Sequence, residues 1–151
     1  MKSFFQTIAD SMGLTLVYTR AQAANVILDR IMAADYPVVV VNPLLVGTTD
    51  TAGRFIKGFE VSILTPCPLD FDEAATDAKQ EQCLKDLNKF IELCKKGTTD
   101  SFHYNGRDNQ ITLFYDKFDS TLMGALTNIR FLINHNTCDD NGEDDNIEQS
   151  E

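Results

Sequence analysis

The chain has 151 residues, 43% of them hydrophobic, and a formal net charge of −10 at pH 7. This length suits a single domain with its own core. The sequence contains no run of about eighteen apolar residues, which excludes a transmembrane helix. A sequence-specific nucleic-acid binder is also not expected, because such proteins need a basic face to displace counterions from phosphates.

The negative charge is concentrated at the C-terminus. Residues 139–151 contain seven carboxylates and no Lys or Arg, whereas residues 1–138 contain 16 acidic and 13 basic residues. Because Ile147 is the one apolar residue of the acidic stretch, that stretch has no means of forming a core. We therefore predict a single domain over residues 1–138 and a disordered acidic tail over residues 139–151.

The N-terminal residues predict a helix and a short strand. Ser3-Phe4-Phe5-Gln6 matches a capping box, an apolar stripe continues to Met12, and Gly13 is placed to end the helix. Residues 14–18 follow as a strand. Gln6 and Asp10 interrupt any signal-peptide core, so we expect synthesis in the cytoplasm.

A second capping box, Thr19-Arg20-Ala21-Gln22, precedes a second predicted helix. This helix has roughly fifteen residues and ends before Pro37. Its apolar residues recur every three or four positions: Ala23, Ile27, Ile31 and Ala34.

Four consecutive valines, Val38–Val41, predict a strand covered on both faces, because the run does not alternate with polar residues. We expect this central strand to organise the fold. Residues 55–64 alternate between apolar and polar side chains, as in a strand with one face on the core. The two strands are expected to form a hairpin.

The connection between these strands, Val46–Gly53, is polar, bounded by glycines and longer than a hairpin needs. No lysine follows in phosphate-loop spacing, so nucleotide binding is not favoured. A projecting loop that contacts a partner fits better. The predicted interface residues are Gly47, Thr48, Thr49, Asp50, Thr51 and Gly53.

The second half of the chain predicts one long helix and three strands. Asp70 and Asp72 are positioned to cap a helix that ends near Lys96, before Gly97, and its apolar stripe contains Leu84, Leu87, Phe90, Ile91 and Cys94. Strands follow at residues 102–104, 111–115 and 122–133, with Asn105-Gly106 as a hairpin signal after the first. The element order predicts an α+β fold: a mainly antiparallel sheet of about four to six strands with the long helix and N-terminal helices packed on it.

No catalytic residue, cofactor site or metal site is predicted. His103, Asp116 and Asp119 invite comparison with an acid/base cluster, but two turn carboxylates and one strand histidine match no spacing that chemistry requires. The four cysteines contain no C-x-x-C pair and are interpreted as reduced, buried or half-buried thiols.

The order of elements resembles that of the tail-terminator and tail-completion proteins of long-tailed bacteriophages. The resemblance covers about residues 1–134. It includes the strand that opens with Tyr-Pro-Val-Val-Val at residues 36–40, and the closing stretch at residues 114–125, where a polar turn enters a strand rich in small residues.

Proteins of that family are structural and form rings, commonly hexameric, that join the tail tube to the head connector. The resemblance implies a non-enzymatic homo-oligomer of the virion, assembled in the host cytoplasm, with tail-tube and head-connector proteins as partners. A small cytoplasmic protein-binding or regulatory module is the alternative, and an enzyme ranks third.

Overall fold

The computed structural model describes residues 1–20, 27–28, 35–44, 47–49, 54–66, 73–97, 102–106, 109–117 and 122–133. Two helices and seven strands have their bounds within these ranges: α1 (Lys2–Met12), β1 (Thr15–Tyr18), β2 (Val38–Pro43), β3 (Thr48–Thr49), β4 (Phe55–Pro66), α2 (Glu73–Lys96), β5 (Phe102–Tyr104), β6 (Thr112–Lys117) and β7 (Leu122–Ile133).

All the strands join one sheet in the order β1-β2-β4-β7-β5, with β3 added beside β4 and β6 added beside β7. Every pairing is antiparallel except that of β1 with β2. The predicted α+β class and mainly antiparallel sheet are confirmed. The sheet has six strands of three or more residues, together with the two-residue strand β3.

The middle of the sheet is the ladder between β4 and β7. It contains twelve residue pairs, from Phe55–Ile133 at one end to Pro66–Leu122 at the other. The valines of β2 are buried on both faces, as predicted: Val39 and Val41 belong to the main core, and Val38 and Val40 to a second cluster on the other face. However, β2 lies one strand away from the middle position.

The parallel pairing of β1 with β2 requires a crossover connection through residues 19–37. Most of the helix predicted there lies outside the described residues, but Ile27 and Leu28 have helical backbone. Leu28 is buried in the second cluster, while Ile27 is 37% exposed. The predicted apolar stripe through Ile27 is therefore wrong at this point, because the buried side passes through Leu28.

The main core lies between the sheet and the two helices, and aromatic rings dominate it. The ring centroid of Phe5 in α1 lies 5.0 Å from that of Phe59 in β4, 6.0 Å from Phe131 in β7 and 6.1 Å from Phe90 in α2. All four side chains are fully buried. Such edge-to-face and stacked pairs add about 0.5–1.5 kcal/mol each beyond the burial of their apolar area.

The two ends of α1 differ in how well the sequence predicted them. The Ser3 capping box is not formed: Met1 is the N-cap, and Ser3 lies inside the helix, where its carbonyl accepts a hydrogen bond from the Thr7 hydroxyl. The C-terminal prediction is confirmed. Gly13 has φ 68°, and the N–H groups of Gly13 and Leu14 donate to the carbonyls of Asp10 and Ala9, which is a Schellman motif.

Helix α2 ends before Gly97, as predicted. A Cβ at Gly97 would lie 2.7 Å from the ring of Phe4, so glycine allows the end of α2 to approach α1 closely. The predicted stripe is buried at all of its positions except Leu84, which is half-buried, and Cys83 is buried as well.

The hairpin signal at Asn105-Gly106 was misleading. Strands β5 and β6 do not pair with each other but lie end to end along the same edge of β7. The N–H of Asn105 donates to the carbonyl of Arg130 on β7 at 2.8 Å, so the turn itself is attached to that strand. A long strand with a free edge offers both short strands more backbone hydrogen bonds than they can offer each other.

The valine strand gives the first prediction. Val39→Asp should abolish folded protein, because an unpaired carboxylate in the core costs several kcal/mol of a total stability of about 5–15 kcal/mol. Asn88→Asp adds the same charge at an exposed position of α2 and is the control. Thermal denaturation followed by circular dichroism measures both. A cooperative transition for the Val39 variant near the wild-type temperature would contradict the buried position of β2.

Gly124 on β7 gives the second prediction. A Cβ there would overlap the carbonyl oxygen of Ile63 on the neighbouring strand β4. Gly124→Ala should therefore force the central ladder apart and lower the free energy of unfolding by about 1–3 kcal/mol. In Gly106→Ala the atom nearest to the new Cβ would belong to the side chain of Tyr104, which is able to move. This control should therefore lower the free energy of unfolding by less than Gly124→Ala does. Urea denaturation measures both, and equal stabilities would contradict the close approach of β4 and β7.

Candidate assembly interface

The predicted interface residues are partly in a strand. Of the six, Gly47, Thr48 and Thr49 are described, and Asp50, Thr51 and Gly53 lie outside the described residues. Thr48 and Thr49 form β3 and pair with Ile56 and Phe55 of β4. The prediction of one long loop over residues 46–53 is therefore wrong at Thr48 and Thr49. The connection from β3 to β4 has five residues, 50–54.

The chain between β2 and β3 makes close contacts with β4 at two glycines, Gly47 in the connection itself and Gly58 in β4. The N–H of Leu44 donates to the carbonyl of Gly58 at 3.0 Å, and the Leu44 side chain lies against Gly58, where a Cβ would be only 2.9 Å from Leu44 Cδ1. Gly47 faces the ring of Phe55 so closely that a Cβ would overlap it. At both glycines a side chain of a neighbouring segment occupies the space that a Cβ would take.

This part of the sheet exposes apolar surface. Leu44 is 39% exposed and Phe55 is 37% exposed, on either side of the short strand β3. Beside them is an open cleft of about 420 Å³. Its lining consists of Tyr18, Arg20, Pro43, Leu44, Gly47, Phe55 and Lys57. The cleft therefore combines apolar side chains with two cationic groups, which suits contact with a protein segment that is apolar and acidic.

The strand edge at this interface consists of two pieces, β1 and β3. Within the described part of the chain, β1 has a neighbour on one side, as do β5 and β6 on the opposite edge. Residues that pair in succession across the sheet lie at the same level, meaning the same position along the strand direction. Leu16 of β1 is level, through Val39, Ile63 and Ala125, with Leu113 of β6.

The second pieces agree in level, although β3 is set back from the edge by one strand. Thr49 of β3 is level, through Phe55 and Ile133, with Phe102 of β5. The strand directions are compatible too, because β1 and β3 run in the same direction as β7, whereas β5 and β6 run opposite to it. Two copies placed side by side without a shift would therefore bring β1 next to β6 in antiparallel orientation. Strand β3 lies in line with β2, one strand further in than β1, so it would face β5 of the neighbour across a gap one strand wide.

The opposite edge has features that the sequence did not indicate. Leu113 on β6 is 48% exposed. A polar cleft of about 600 Å³ separates β6 from β5, and the Thr127 hydroxyl donates to the carbonyl of Gln110 inside it at 2.8 Å. Each edge thus has an interruption between its two pieces. No local signal marks Leu113 as exposed, because its exposure depends on which strands lie beside β6.

The acid/base cluster that the sequence analysis disfavoured is not assembled. His103 on β5 pairs with Leu132, while the end of β6 that carries Asp116 is held by the pair Lys117–Leu122. Ten residues of β7 separate these two points, which is about 33 Å along a strand. Asp119 lies outside the described residues.

The two described cysteines face the core from α2, as interpreted from the sequence. Cys83 and Cys94 are buried and free. Burial raises the pKa of the Cys83 thiol to about 11, with a smaller contribution from the nearby Asp86 carboxylate, and raises the pKa of Cys94 to about 12. Both thiols stay protonated at neutral pH and are poor nucleophiles.

In the described part of the chain, no group of three or more His, Cys, Asp or Glu side chains is placed to hold a metal ion. Neither α1 nor α2 combines the length and apolar character that crossing a bilayer requires. Comparison of the chain with models of known protein families and with curated proteins finds no match.

Proposed function

We propose that this chain is a structural protein of a tailed phage or prophage that forms a ring at the junction of tail and neck, as a tail terminator or tail-completion protein. The observation that carries the proposal is that the edge strands β1 and β6 agree in level and would pair antiparallel between two copies. A ring requires a heterologous contact, in which one patch of each subunit meets a different patch of the next. The edge formed by β1 and β3 and the edge formed by β5 and β6 are two such patches.

Exposed apolar side chains support the same contact. Leu113 on β6 would lie beside Leu16 of the next copy, since the two residues are level in the sheet. Leu16 is half-buried and packs against the main core. Covering Leu113 and Leu44 with a neighbour would remove apolar area from water, which stabilises an oligomer by about 25 cal/mol per Å² of area buried.

Light scattering coupled to size exclusion tests assembly of the purified chain, and negative-stain microscopy tests whether the assembly is a ring. Mass spectrometry of particles from the phage or prophage that encodes the chain tests its presence in the virion. A chain that stays monomeric at all concentrations and is missing from particles would favour the alternative, a protein-binding or regulatory module.

The third prediction is that Leu113→Asp reduces the mass of the assembly to that of smaller species. The new carboxylate would be buried against β1 of the neighbouring subunit. Burying an unpaired charge in an apolar interface destabilises the contact. Ala78→Asp places the same charge on the exposed side of α2 and should leave the mass unchanged. An unaltered mass for the Leu113 variant would contradict the role of the β6 edge.

The fourth prediction concerns the opposite edge. Replacing residues 50–54 by Asn-Gly removes Asp50, Thr51 and Gly53 but keeps the Thr49–Phe55 pair, and Asn-Gly closes two-residue hairpins well. The shortened protein should keep its melting temperature and assemble less.

Mixing the shortened variant with the Leu113→Asp variant distinguishes a heterologous contact from a symmetric one. Each variant retains one intact edge, so the mixture should form dimers of the two variants but no rings. Normal assembly of the shortened variant alone would contradict the interface. If it instead assembled normally and lost a catalytic turnover that the wild type has, the enzyme hypothesis would replace this one.

A further inference from the structure

The charged side chains of the described residues are divided between the two ends of the sheet. We call the end where β7 finishes the basic end. Its cationic side chains include Lys2, Arg20, Arg54, Lys57, Lys95 and Lys96, and Glu92 is acidic. Glu60 on β4 and Arg130 on β7 add one charge of each sign at its border. The opposite end carries Asp10, Asp35, Glu73, Asp77 and Glu81 together with Lys79.

Several contacts place the members of the basic end together. The ring of Phe4, at the start of α1, lies 4.9 Å from that of Phe102 in β5, and it also contacts Gly97 at the end of α2. Lys95 Nζ lies 5.6 Å from the ring centroid of Tyr104. The start of α1, the end of α2 and β5 therefore meet where β7 ends.

The cleft beside β3 belongs to the same end. Arg20 and Lys57 both line this cleft, and Lys57 Nζ lies 5.5 Å from the ring centroid of Phe59. Lys2, Arg20 and Lys96 are exposed. Among the charges of this end, Glu92 pairs with Lys95 at 3.2 Å, and the two side chains remain 60% and 35% exposed. The basic end thus presents a net positive surface to solvent.

We propose that the basic end binds the acidic residues 139–151 of the same subunit. Strand β7 ends at Ile133, at the basic end, and five residues separate it from Asp139. The six residue steps from Ile133 to Asp139 span at most about 20 Å, so the acidic segment begins close to the basic end. The seven carboxylates of the segment complement the charge of the basic end.

This contact does not require the segment to fold. Many carboxylates close to many cations attract each other without fixed pairs, so the field of the surface as a whole is sufficient to hold the segment. The opposite end of the sheet carries a net negative charge and therefore repels the acidic segment. The proposal does not rest on the proposed function, since it depends on charge and on where β7 ends. Arg20 and Lys57 also line the cleft at the candidate interface, so a segment bound there would compete with a neighbouring subunit.

Carbodiimide crosslinking of the full chain tests the proposal, because this reagent joins a carboxylate to a lysine amine that it touches. Peptide mass spectrometry should find residues 139–151 joined to Lys2, Lys57, Lys95 or Lys96 several-fold more often than to Lys79 or Lys85. Raising the ionic strength from about 0.01 M to about 1 M shortens the Debye length from about 30 Å to about 3 Å, and should abolish the preference.

Two double variants serve as a matched pair. Arg20→Gln with Lys96→Gln should reduce crosslinks to Lys2 and Lys57 several-fold, whereas Lys79→Gln with Lys85→Gln removes the same charge elsewhere and should not. Mixing isotope-labelled and unlabelled protein shows whether the crosslinks join two copies. Crosslinks spread evenly over all lysines, a preference that persists at high salt, or crosslinks that join mainly different copies would each overturn the proposal.

Discussion

The pairing of β4 with β7 is the constraint on which the rest of the structure depends. The two strands are far apart in sequence, yet they pair along their whole length. Bringing them together costs loop-closure entropy, which local hydrogen bonds do not offset, so the ladder is stable only with its buried face covered. Phe59 and Phe131 on that face meet Phe5 of α1 and Phe90 of α2. The helices and the ladder therefore stabilise one another.

Local patterns in the sequence predicted the elements whose side chains alternate or recur strictly. Strand β7 was predicted with its exact bounds, and α2 ends where Gly97 allows it. The errors come from competition between local and distant partners. Ser3 is a good capping residue, but the helix already begins at Lys2, and Asn105-Gly106 is a good turn, but β7 provides the partner for both flanking strands. A single sequence does not show which partner is available.

That residues 47–53 form an interface remains a prediction, whereas the expected form of this segment, one long loop, was wrong at Thr48 and Thr49. Its glycines and threonines marked the connection between two strands, and the structure places Gly47 beside the exposed ring of Phe55. Two further properties depend on the tertiary structure: the pairing of β3 with β4, and the match in level between the two edges of the sheet. Leu113 carries no signal of its own, because its exposure results from its place at the border of the sheet.

The interruption of both edges also bears on aggregation. An uninterrupted edge strand accepts a partner in many registers, and proteins with long open edges are prone to uncontrolled polymerisation. Here each edge is divided into two short strands with a cleft between them. A neighbour displaced along the strand direction would set a strand against a cleft and lose hydrogen bonds, so the edges themselves select one alignment and disfavour the rest.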